Sequence, residues 1–282
     1  MKTMVSFLLG ALALTACMSR PPEEIRVSGN RIFMPISING EPAEALMDSG
    51  AEMTLVDAAF ADRLDLAGAG TDQAKGTGAT EVEVQFAQGV SLEAAGNRMD
   101  DQAIAILDLE DIANRVVGEP VTVIMGRELF DAGRYYLDIE AGRFHQVPDD
   151  FQPRGMLVNL SDANGIKQMP VSFNGAAPVQ ADFDLGNGSE ILLSEEFARA
   201  AGLLTADRIL GIKQGGGLGG PVERTLVRID SLSIAGVEVH DLIAAVAPSA
   251  DGADANVGVS VLRDFIMVID FPGNRLWLEP RP

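Results

Sequence analysis

The chain has 282 residues, of which 47% are apolar and 22% charged, a balance that excludes a disordered or fibrous protein and suits one or two globular domains. Lys and Arg total 21 against 41 Asp and Glu, and the resulting net charge of -20 argues against nucleic acid as a partner. The one Cys excludes intramolecular disulfides and cysteine-built zinc sites, and His145 and His240 lie outside any metal-ligand spacing, so we expect no metal and no cofactor.

Residues 1–16 have the pattern of a secretory signal peptide. Lys2 precedes an apolar stretch, residues 4–13, that is too short to span a bilayer. The stretch ends in small residues before Cys17, an arrangement that resembles the lipobox of bacterial lipoproteins. The resemblance implies cleavage before Cys17, lipid attachment to its thiol and a membrane anchor. An ordinary secretory signal with an incidental Cys is the alternative.

Residues 17–25 are then expected to form a lipidated tether, which Pro21 and Pro22 keep extended. No later apolar run is long enough to span a bilayer, so we expect the remaining chain to face the periplasm of a bacterial cell envelope. Since no Asp follows Cys17, the lipoprotein resemblance implies the outer membrane rather than the inner one.

The rest of the chain contains an internal repeat. Residues 34–40 read MPISING and recur as MPVSFNG at 169–175. An Asp-Ser-Gly motif at 48–50 recurs 136 residues later as Asp-Leu-Gly, and two later segments recur in the same order. The repeat predicts two homologous lobes, residues 26–150 and 151–282, joined by the polar, Pro-bearing segment 149–153.

Both lobes are predicted to consist mostly of short strands. Residues 81–86 alternate between apolar and polar with the period of a half-buried strand. Further strands are predicted from β-branched and aliphatic runs at 31–38, 121–125, 225–229 and 265–270. Asp57 and Ser194 are predicted N-caps of short helices at equivalent places in the two lobes. The predicted fold class is therefore all-β with minor helix.

In each lobe an Asp follows directly after an apolar strand. Asp48 follows residues 45–47, and Asp184 has the equivalent place in lobe two. An acid at such a position is costly unless hydrogen-bond donors surround it, and the N–H groups of the turn and the Ser49 hydroxyl can serve. Asp-Ser-Gly alone is common turn chemistry. Its repetition, with an apolar-apolar-Gly strand after each copy, favours a functional pair instead.

On these residues the sequence resembles the retropepsin-like aspartic peptidases, bacterial members of the pepsin clan. The resemblance covers nearly all of residues 30–282. Its carriers are Asp48-Ser49-Gly50-Ala51, Ile124-Met125-Gly126, Asp184-Leu185-Gly186-Asn187 and Asn256-Val257-Gly258.

The resemblance implies two β-barrel lobes that face each other across a cleft. The catalytic residues would be Asp48 and Asp184, which share one proton and activate a water that hydrolyses a peptide bond. The supporting residues would be Ser49, Gly50, Leu185 and Gly186. The substrate would be a peptide or protein, the working unit a monomer because one chain supplies both lobes, and no cofactor is implied.

One residue departs from the family pattern. The family expects Thr or Ser after each Asp, because that hydroxyl braces the two loops by hydrogen bonds across the interface. Ser49 fits this expectation, whereas lobe two has Leu185. The Asp of lobe two is nevertheless present, so both an active site and an inactive one remain open.

Gly-rich hairpins are candidate flaps over the cleft. In lobe one the candidate residues are Gly76, Thr77 and Gly78, and in lobe two they are Gly215, Gly216 and Gly217. Taken alone, such segments are typical of flexible surface hairpins.

Three functions are therefore consistent with the sequence. The leading hypothesis is a lipid-anchored aspartic endopeptidase. The main alternative is a catalytically impaired protein that binds peptides in the same cleft, a hypothesis motivated by Leu185. A structural lipoprotein that uses the two lobes only as a scaffold is the third.

Overall fold

A computed structural model of the chain describes residues 23–66, 68, 70–163, 165–248 and 253–282. The predicted signal peptide, Cys17 and residues 18–22 of the predicted tether lie outside the described residues. No helix in the described part of the chain is long and apolar enough to cross a membrane.

The described chain is built mainly from strands. Those preceding residue 150 are β1 Glu23–Glu24, β2 Arg26–Ser28, β3 Arg31–Ile38, β4 Glu41–Met47, β5 Leu55–Asp57, β6 Thr71–Ala74, β7 Val82–Ala94, β8 Asn97–Leu107, β9 Val123–Met125, β10 Arg134–Asp138 and β11 Arg143–Gln146. Those that follow are β12 Met156–Asn159, β13 Ser161–Ala163, β14 Ile166–Phe173, β15 Val179–Phe183, β16 Ile191–Ser194, β17 Ile209–Gly215, β18 Val222–Ile234, β19 Val237–Ala247, β20 Ala255–Val257, β21 Phe265–Asp270 and β22 Arg275–Pro280.

Helices are few and short. They are α1 Ala58–Arg63, α2 Glu110–Ile112, α3 Glu128–Asp131, α4 Glu195–Ala200 and α5 Val259–Leu262, with a π-helical turn at Ala113–Val117. The two predicted N-caps are confirmed. Asp57 accepts hydrogen bonds from the N–H groups of Ala59 and Phe60 at the start of α1, and Ser194 accepts one from Phe197 in α4.

Each lobe contains one eight-stranded sheet, and the two sheets have the same strand order. In lobe one the order is β2-β3-β4-β9-β5-β8-β7-β6, and in lobe two it is β13-β14-β15-β20-β16-β19-β18-β17. An additional pairing, β3–β7 or β14–β18, curls each sheet onto itself without closing a complete barrel. The prediction of a mostly β fold with two homologous lobes is confirmed, with open rather than closed barrels.

A third sheet joins the lobes. Its order is β1-β11-β10-β21-β22-β12, so each lobe supplies three strands. At its centre β10 and β21 run antiparallel, and Tyr136 lies opposite Val268, its own counterpart in the repeat. An antiparallel pair of equivalent strands has a local two-fold axis between them. The lobes are therefore related by a pseudo-two-fold axis that passes through this sheet.

The shared sheet extends the folded body beyond the boundary expected from the sequence. Glu23–Glu24, assigned above to the tether, pairs with β11, and Ile25 is buried. In lobe two the strand with the same neighbours is β12, which pairs with β22. The folded part of lobe one therefore begins by residue 23 rather than at residue 26.

Three of the largest buried side chains of the core meet at the interface between the lobes. Phe130 contacts Phe271 with ring centroids 5.1 Å apart, and Phe271 contacts Phe183 edge-on at 6.2 Å. These three rings come from both lobes and are essentially removed from solvent. Burial of such rings stabilises the contact between the lobes.

Candidate active site

Two equivalent loops emerge from the sheets toward the interface. One connects β4 to β5 and carries Asp48, and the other connects β15 to β16 and carries Asp184. The Asp48 N–H donates to Met125 O at 2.9 Å, and the Asp184 N–H donates to Val257 O at 3.1 Å. Since β9 and β20 hold the two loops by the same contact, the two carboxyl groups leave their sheets at equivalent points.

In each loop the glycine two residues after the Asp lets the two loops approach closely. A Cβ atom on Gly50 would lie 2.9 Å from the Asp184 carboxyl carbon, and one on Gly186 would overlap the Asp48 carboxyl group. Only glycine fits at either position without displacing the carboxyl group of the other lobe. The structure thus brings Asp48 and Asp184 together across the interface.

The environment of Asp48 favours its neutral form. Burial, and secondly the nearby charge of Asp184, raise the pKa of Asp48 well above its ordinary value. The N–H of Gly50 donates to Asp48 Oδ1 at 2.9 Å, and this contact opposes the rise without cancelling it. A neutral carboxyl beside an ionised one is the arrangement expected when two carboxyl groups share a single proton.

Asp184 has more donors than Asp48. Its Oδ1 accepts from the N–H groups of Gly186, at 2.8 Å, and Asn187, at 3.1 Å. Its Oδ2 accepts from Asn256 Nδ2 at 2.7 Å. The Asn187 side chain donates in turn to Asn256 Oδ1 at 2.9 Å, which determines which end of the Asn256 amide faces Asp184. Both carboxylate oxygens of Asp184 are therefore hydrogen-bonded, and a charged carboxylate gains most from such donors.

A buried cation also lies near Asp184. Arg31, at the start of β3, is almost fully buried and lines the cleft. Burial lowers its pKa, while the negative charge of Asp184 opposes that shift. A positive charge on Arg31 therefore lies near Asp184.

A single hydroxyl group links the two loops. Ser49 is 1% exposed, and its Oγ donates to Phe183 O at 2.8 Å and accepts from the Leu185 N–H at 2.9 Å. Leu185 is 0% exposed and packs in the core instead of offering a reciprocal hydroxyl. The brace is thus made from lobe one alone, as the sequence departure predicts.

The two Gly-rich hairpins meet above the cleft. Gly76, Thr77 and Gly78 lie between β6 and β7, whereas Gly215 ends β17, and Gly216 and Gly217 follow it. The Gly78 N–H donates to Leu218 O at 2.9 Å, and the Thr80 N–H donates to Gly219 O at 3.0 Å. The two hairpin tips therefore together cover the pair of Asp48 and Asp184, called the dyad below.

Two guanidinium groups anchor these hairpin tips. Arg115, in the π-helical turn, donates to Gly216 O at 2.6 Å and to Gly217 O at 2.9 Å. Arg224, in β18, donates to Thr77 O at 2.9 Å. Each lobe thus supplies an Arg that holds the hairpin of the other lobe.

Between the hairpin tips and the two Asp residues lies a cleft of about 680 Å³, lined by both lobes. This volume suits several residues of an extended peptide. Within the described residues no group of three or more His, Cys, Asp and Glu is placed to hold a metal ion.

Two segments of the chain, residues 34–129 and 169–261, each match the family model of aspartyl proteases. The matches fall one in each lobe and together cover well over half of the sequence. The chain belongs to the aspartyl protease family. A search of curated proteins gave no significant match. The resemblance to retropepsin-like members of the family is thereby confirmed, as is the presence of two repeats.

For this aspartyl protease family member, sequence reasoning named the paired Asp residues, both glycines, Ser49, Leu185 and both hairpins. It missed the contacts that Asn256, Arg31, Arg115 and Arg224 make in the cleft. The sequence did contain a signal for Asn256, because the repeat places this polar residue where lobe one has the apolar Ile124. The three Arg residues left no comparable signal, since their partners are distant in the sequence.

Proposed function

We propose that the protein is an aspartic endopeptidase in which Asp48 and Asp184 hydrolyse peptide bonds with an activated water. One observation carries the proposal. The two carboxyl groups, one from each lobe, lie close together at the floor of a covered cleft, each against the glycine of the opposite loop. A fold that only held peptides would not need to bury two carboxyl groups in contact, because such an arrangement is electrostatically costly.

The environments of the two carboxyl groups support different roles for them. Asp184 has three N–H donors and a nearby Arg31, so it is the ionised member and takes a proton from the attacking water. Asp48, whose pKa is raised, is the protonated member and donates to the oxygen of the scissile carbonyl. The water oxygen bonds to the carbonyl carbon, which yields a tetrahedral gem-diol.

Collapse of the gem-diol completes the reaction. One of its hydroxyl protons returns to Asp48, while Asp184 gives the proton that it took from water to the amide nitrogen. The carbon–nitrogen bond then breaks, releasing a carboxylic acid and an amine. Both carboxyl groups end in their starting protonation states, so the cycle can repeat without another reactant.

The experiment is peptide-library cleavage by a soluble form that begins at Ser19, from about pH 3 to pH 7. Asp48→Asn and Asp184→Asn are each expected to lower kcat by about 10²–10⁴-fold, the contribution of a general acid or base. Circular dichroism checks that both variants are folded. Undiminished cleavage by either variant would contradict a shared dyad.

The absence of a hydroxyl at residue 185 keeps one alternative in view, a protein that binds peptides without cleaving them. Saturable peptide binding without any product, at every pH tested, would support this alternative. The Ser49 contacts argue for the peptidase, because they already hold both loops in place.

We also propose that the protein acts as a monomer, anchored to the cell envelope through a lipid on Cys17 and facing the periplasm, at the outer membrane rather than the inner one. The small residues before Cys17 support the anchor, and one chain supplies both halves of the site. A form that is exported with an ordinary secretory signal and begins at Ser19, and so lacks Cys17, is expected in the soluble periplasmic fraction, whereas the full chain is expected in the membrane fraction. Retention of the Ser19 form in the membrane fraction would contradict the lipid anchor.

A further inference from the structure

The sheets of the two lobes carry different side chains at equivalent positions beside the two Asp residues. In lobe one β4 places Leu46 beside Ile124 of β9. In lobe two β15 places Asp182 beside Asn256 of β20, in the same strand geometry. Two apolar side chains of lobe one are therefore replaced by two polar ones in lobe two.

A third position shows the same change. The long hairpin strands β7 and β18 have 13 residues each and equivalent partners, because Phe86 pairs with Ala105 and Leu226 pairs with Ala245. By this register the counterpart of Val84 is Arg224, and both residues line the cleft.

The lobe-one wall of the cleft contains an apolar patch. Leu46, Val84, Ile112 and Ile124 belong to one buried hydrophobic cluster that also lines the cleft. Leu218, from the hairpin of lobe two, packs against the same cluster. A large aliphatic or aromatic side chain of a substrate would bury apolar surface there.

Arg224 dominates the opposite wall. Its residue is 6% exposed, and its Nη2 donates to Thr77 O, whereas its buried Nε has no hydrogen-bond partner among the described residues. No carboxylate of the described residues forms an ion pair with it. The nearest acid to influence it is Glu190, whose carboxylate is held by Lys213 at 2.7 Å.

The charge on Arg224 consequently has no direct ion-pair partner among the described residues. Burial lowers the pKa of its guanidinium group, and the charge of Arg115 acts in the same direction. A buried cation with an unused N–H costs free energy until an anion pairs with it. A carboxylate matches the forked donors of a guanidinium group better than a neutral side chain does.

We propose that the lobe-two half of the cleft binds an acidic side chain of the substrate, Asp or Glu, with Arg224 as its counter-ion, while the lobe-one half takes a large apolar side chain. This specificity rests on the proposed peptidase activity. It selects peptide bonds that lie between an apolar residue and an acidic one.

The test begins with a library that identifies the bonds cut by the soluble wild-type protein. Three peptides are then made around one such bond, with Leu on one side and Glu, Gln or Lys on the other. Acetylated and amidated ends ensure that no terminal carboxylate supplies the anion. The wild type is expected to have a kcat/KM at least about tenfold higher for Glu than for Gln, and lowest for Lys.

Two variants distinguish an effect on the acidic subsite from an effect on the contact between Arg224 and the hairpin. Arg224→Glu is expected to reverse the order, so that Lys is preferred over Gln and Glu. Loss of the bond to Thr77 affects all three peptides alike, so the ratios report only the charge. Thr80→Ala removes a different contact between the same two hairpin tips, from the Thr80 hydroxyl to Gly219 O, and is expected to leave the ratios at their wild-type values.

Cleavage by the wild type without a preference for Glu over Gln overturns the subsite and leaves the peptidase intact. An Arg224→Glu variant with unchanged ratios overturns it as well. If the wild type cuts no peptide, the proposed function fails, and fluorescence anisotropy of the same three peptides still tests the subsite. Equal affinities for Glu and Gln peptides would then overturn it, and tenfold tighter binding of the Glu peptide would support it.

Discussion

At the scale of single residues, the hydroxyl of Ser49 holds together two loops that belong to different lobes. It bonds one backbone carbonyl and one backbone N–H of lobe two, and all three groups are buried. In a symmetric site two hydroxyl groups would share this task. Here Leu185 adds apolar packing instead, and the polar part of the brace depends on Ser49.

Ser49→Ala is accordingly expected to lower the free energy of unfolding by about 1–3 kcal/mol, because Phe183 O and the Leu185 N–H lose their buried partner. Urea unfolding measures the change. Ser37→Ala is the matched control, since its hydroxyl makes only a 3.4 Å contact to Glu93 at the surface, and we expect a change within about 0.5 kcal/mol. Equal effects of the two substitutions would contradict the brace.

Asn256 is the residue that makes the dyad asymmetric. Its Nδ2 donates to Asp184 Oδ2, so Asn256→Ile, which copies the residue of lobe one, removes this donor. The proposed base is then held less well, and kcat/KM is expected to fall by about tenfold while the protein stays folded. Ile124→Val is the control, with a kcat/KM close to that of the wild type. An unchanged kcat/KM in Asn256→Ile would count against a role for this contact in the proposed reaction.

At the scale of elements, the two hairpins act as one cover because their tips approach at the backbone. A Cβ on Gly78 would overlap backbone atoms of Gly219 and Leu218, so no larger residue fits while the tips are paired. The hydrogen bonds to Leu218 and Gly219 connect the hairpin of one lobe to that of the other, so neither lobe can form them alone. Closure of the cleft is therefore a property of the two hairpins together.

Gly78→Val is expected to lower kcat/KM by about tenfold or more, because the tips cannot pair and water enters the cleft. The melting temperature should stay close to that of the wild type, since the tip contributes little to the core. Ala79→Val adds a side chain at the neighbouring exposed position and is expected to have little effect. Comparable losses in both variants would show that paired tips are not required.

At the scale of the whole molecule, a symmetric scaffold carries an asymmetric site. The strand orders of the lobes are identical, and the axis passes between Tyr136 and Val268. Asp182, Asn256 and Arg224 of lobe two stand where lobe one has apolar residues, whereas Ser49 of lobe one stands where lobe two has Leu185. The backbone thus positions the two carboxyl groups equivalently, while the side chains around them differ.

Asp182, one of the polar residues of lobe two, destabilises the folded protein at neutral pH. Burial raises its pKa to about 6, although Gln168 donates to it at 2.9 Å. Since its ordinary pKa is 3.8, the folded protein binds this proton more tightly than the unfolded chain does. The corresponding stability is fully present below about pH 4 and is lost as the pH rises through 6.

Asp182→Asn is therefore expected to stabilise the protein at pH 8 by about 1–3 kcal/mol, since each pKa unit corresponds to about 1.4 kcal/mol. The difference from the wild type should vanish below about pH 4. Unfolding in urea between pH 3.5 and pH 8 measures it, and Glu81→Gln, at an exposed position, is the control. A variant less stable than the wild type at pH 8 would contradict the cost of this buried acid.

Much of the fold could be predicted from the sequence, because its signals are local or repeated. Strands predicted at 31–38 and 265–270 coincide with β3 and β21, and both predicted N-caps form. A strand's alternation and a helix cap depend on residues within a few positions of each other. The repeated Asp-x-Gly motif identified the family and the two candidate carboxyl groups for the same reason.

Only the tertiary structure decided how the two lobes pair and how their side chains differ around the two Asp residues. The β10–β21 pairing, the bond from Asn256 to Asp184 and the unpaired Nε of Arg224 each depend on atoms brought together from distant parts of the chain. Burial and charge at such contacts are set by the packing of two lobes, which no local pattern encodes. The sequence by itself thus determined two lobes with an Asp in each, and packing decided which donors surround each Asp.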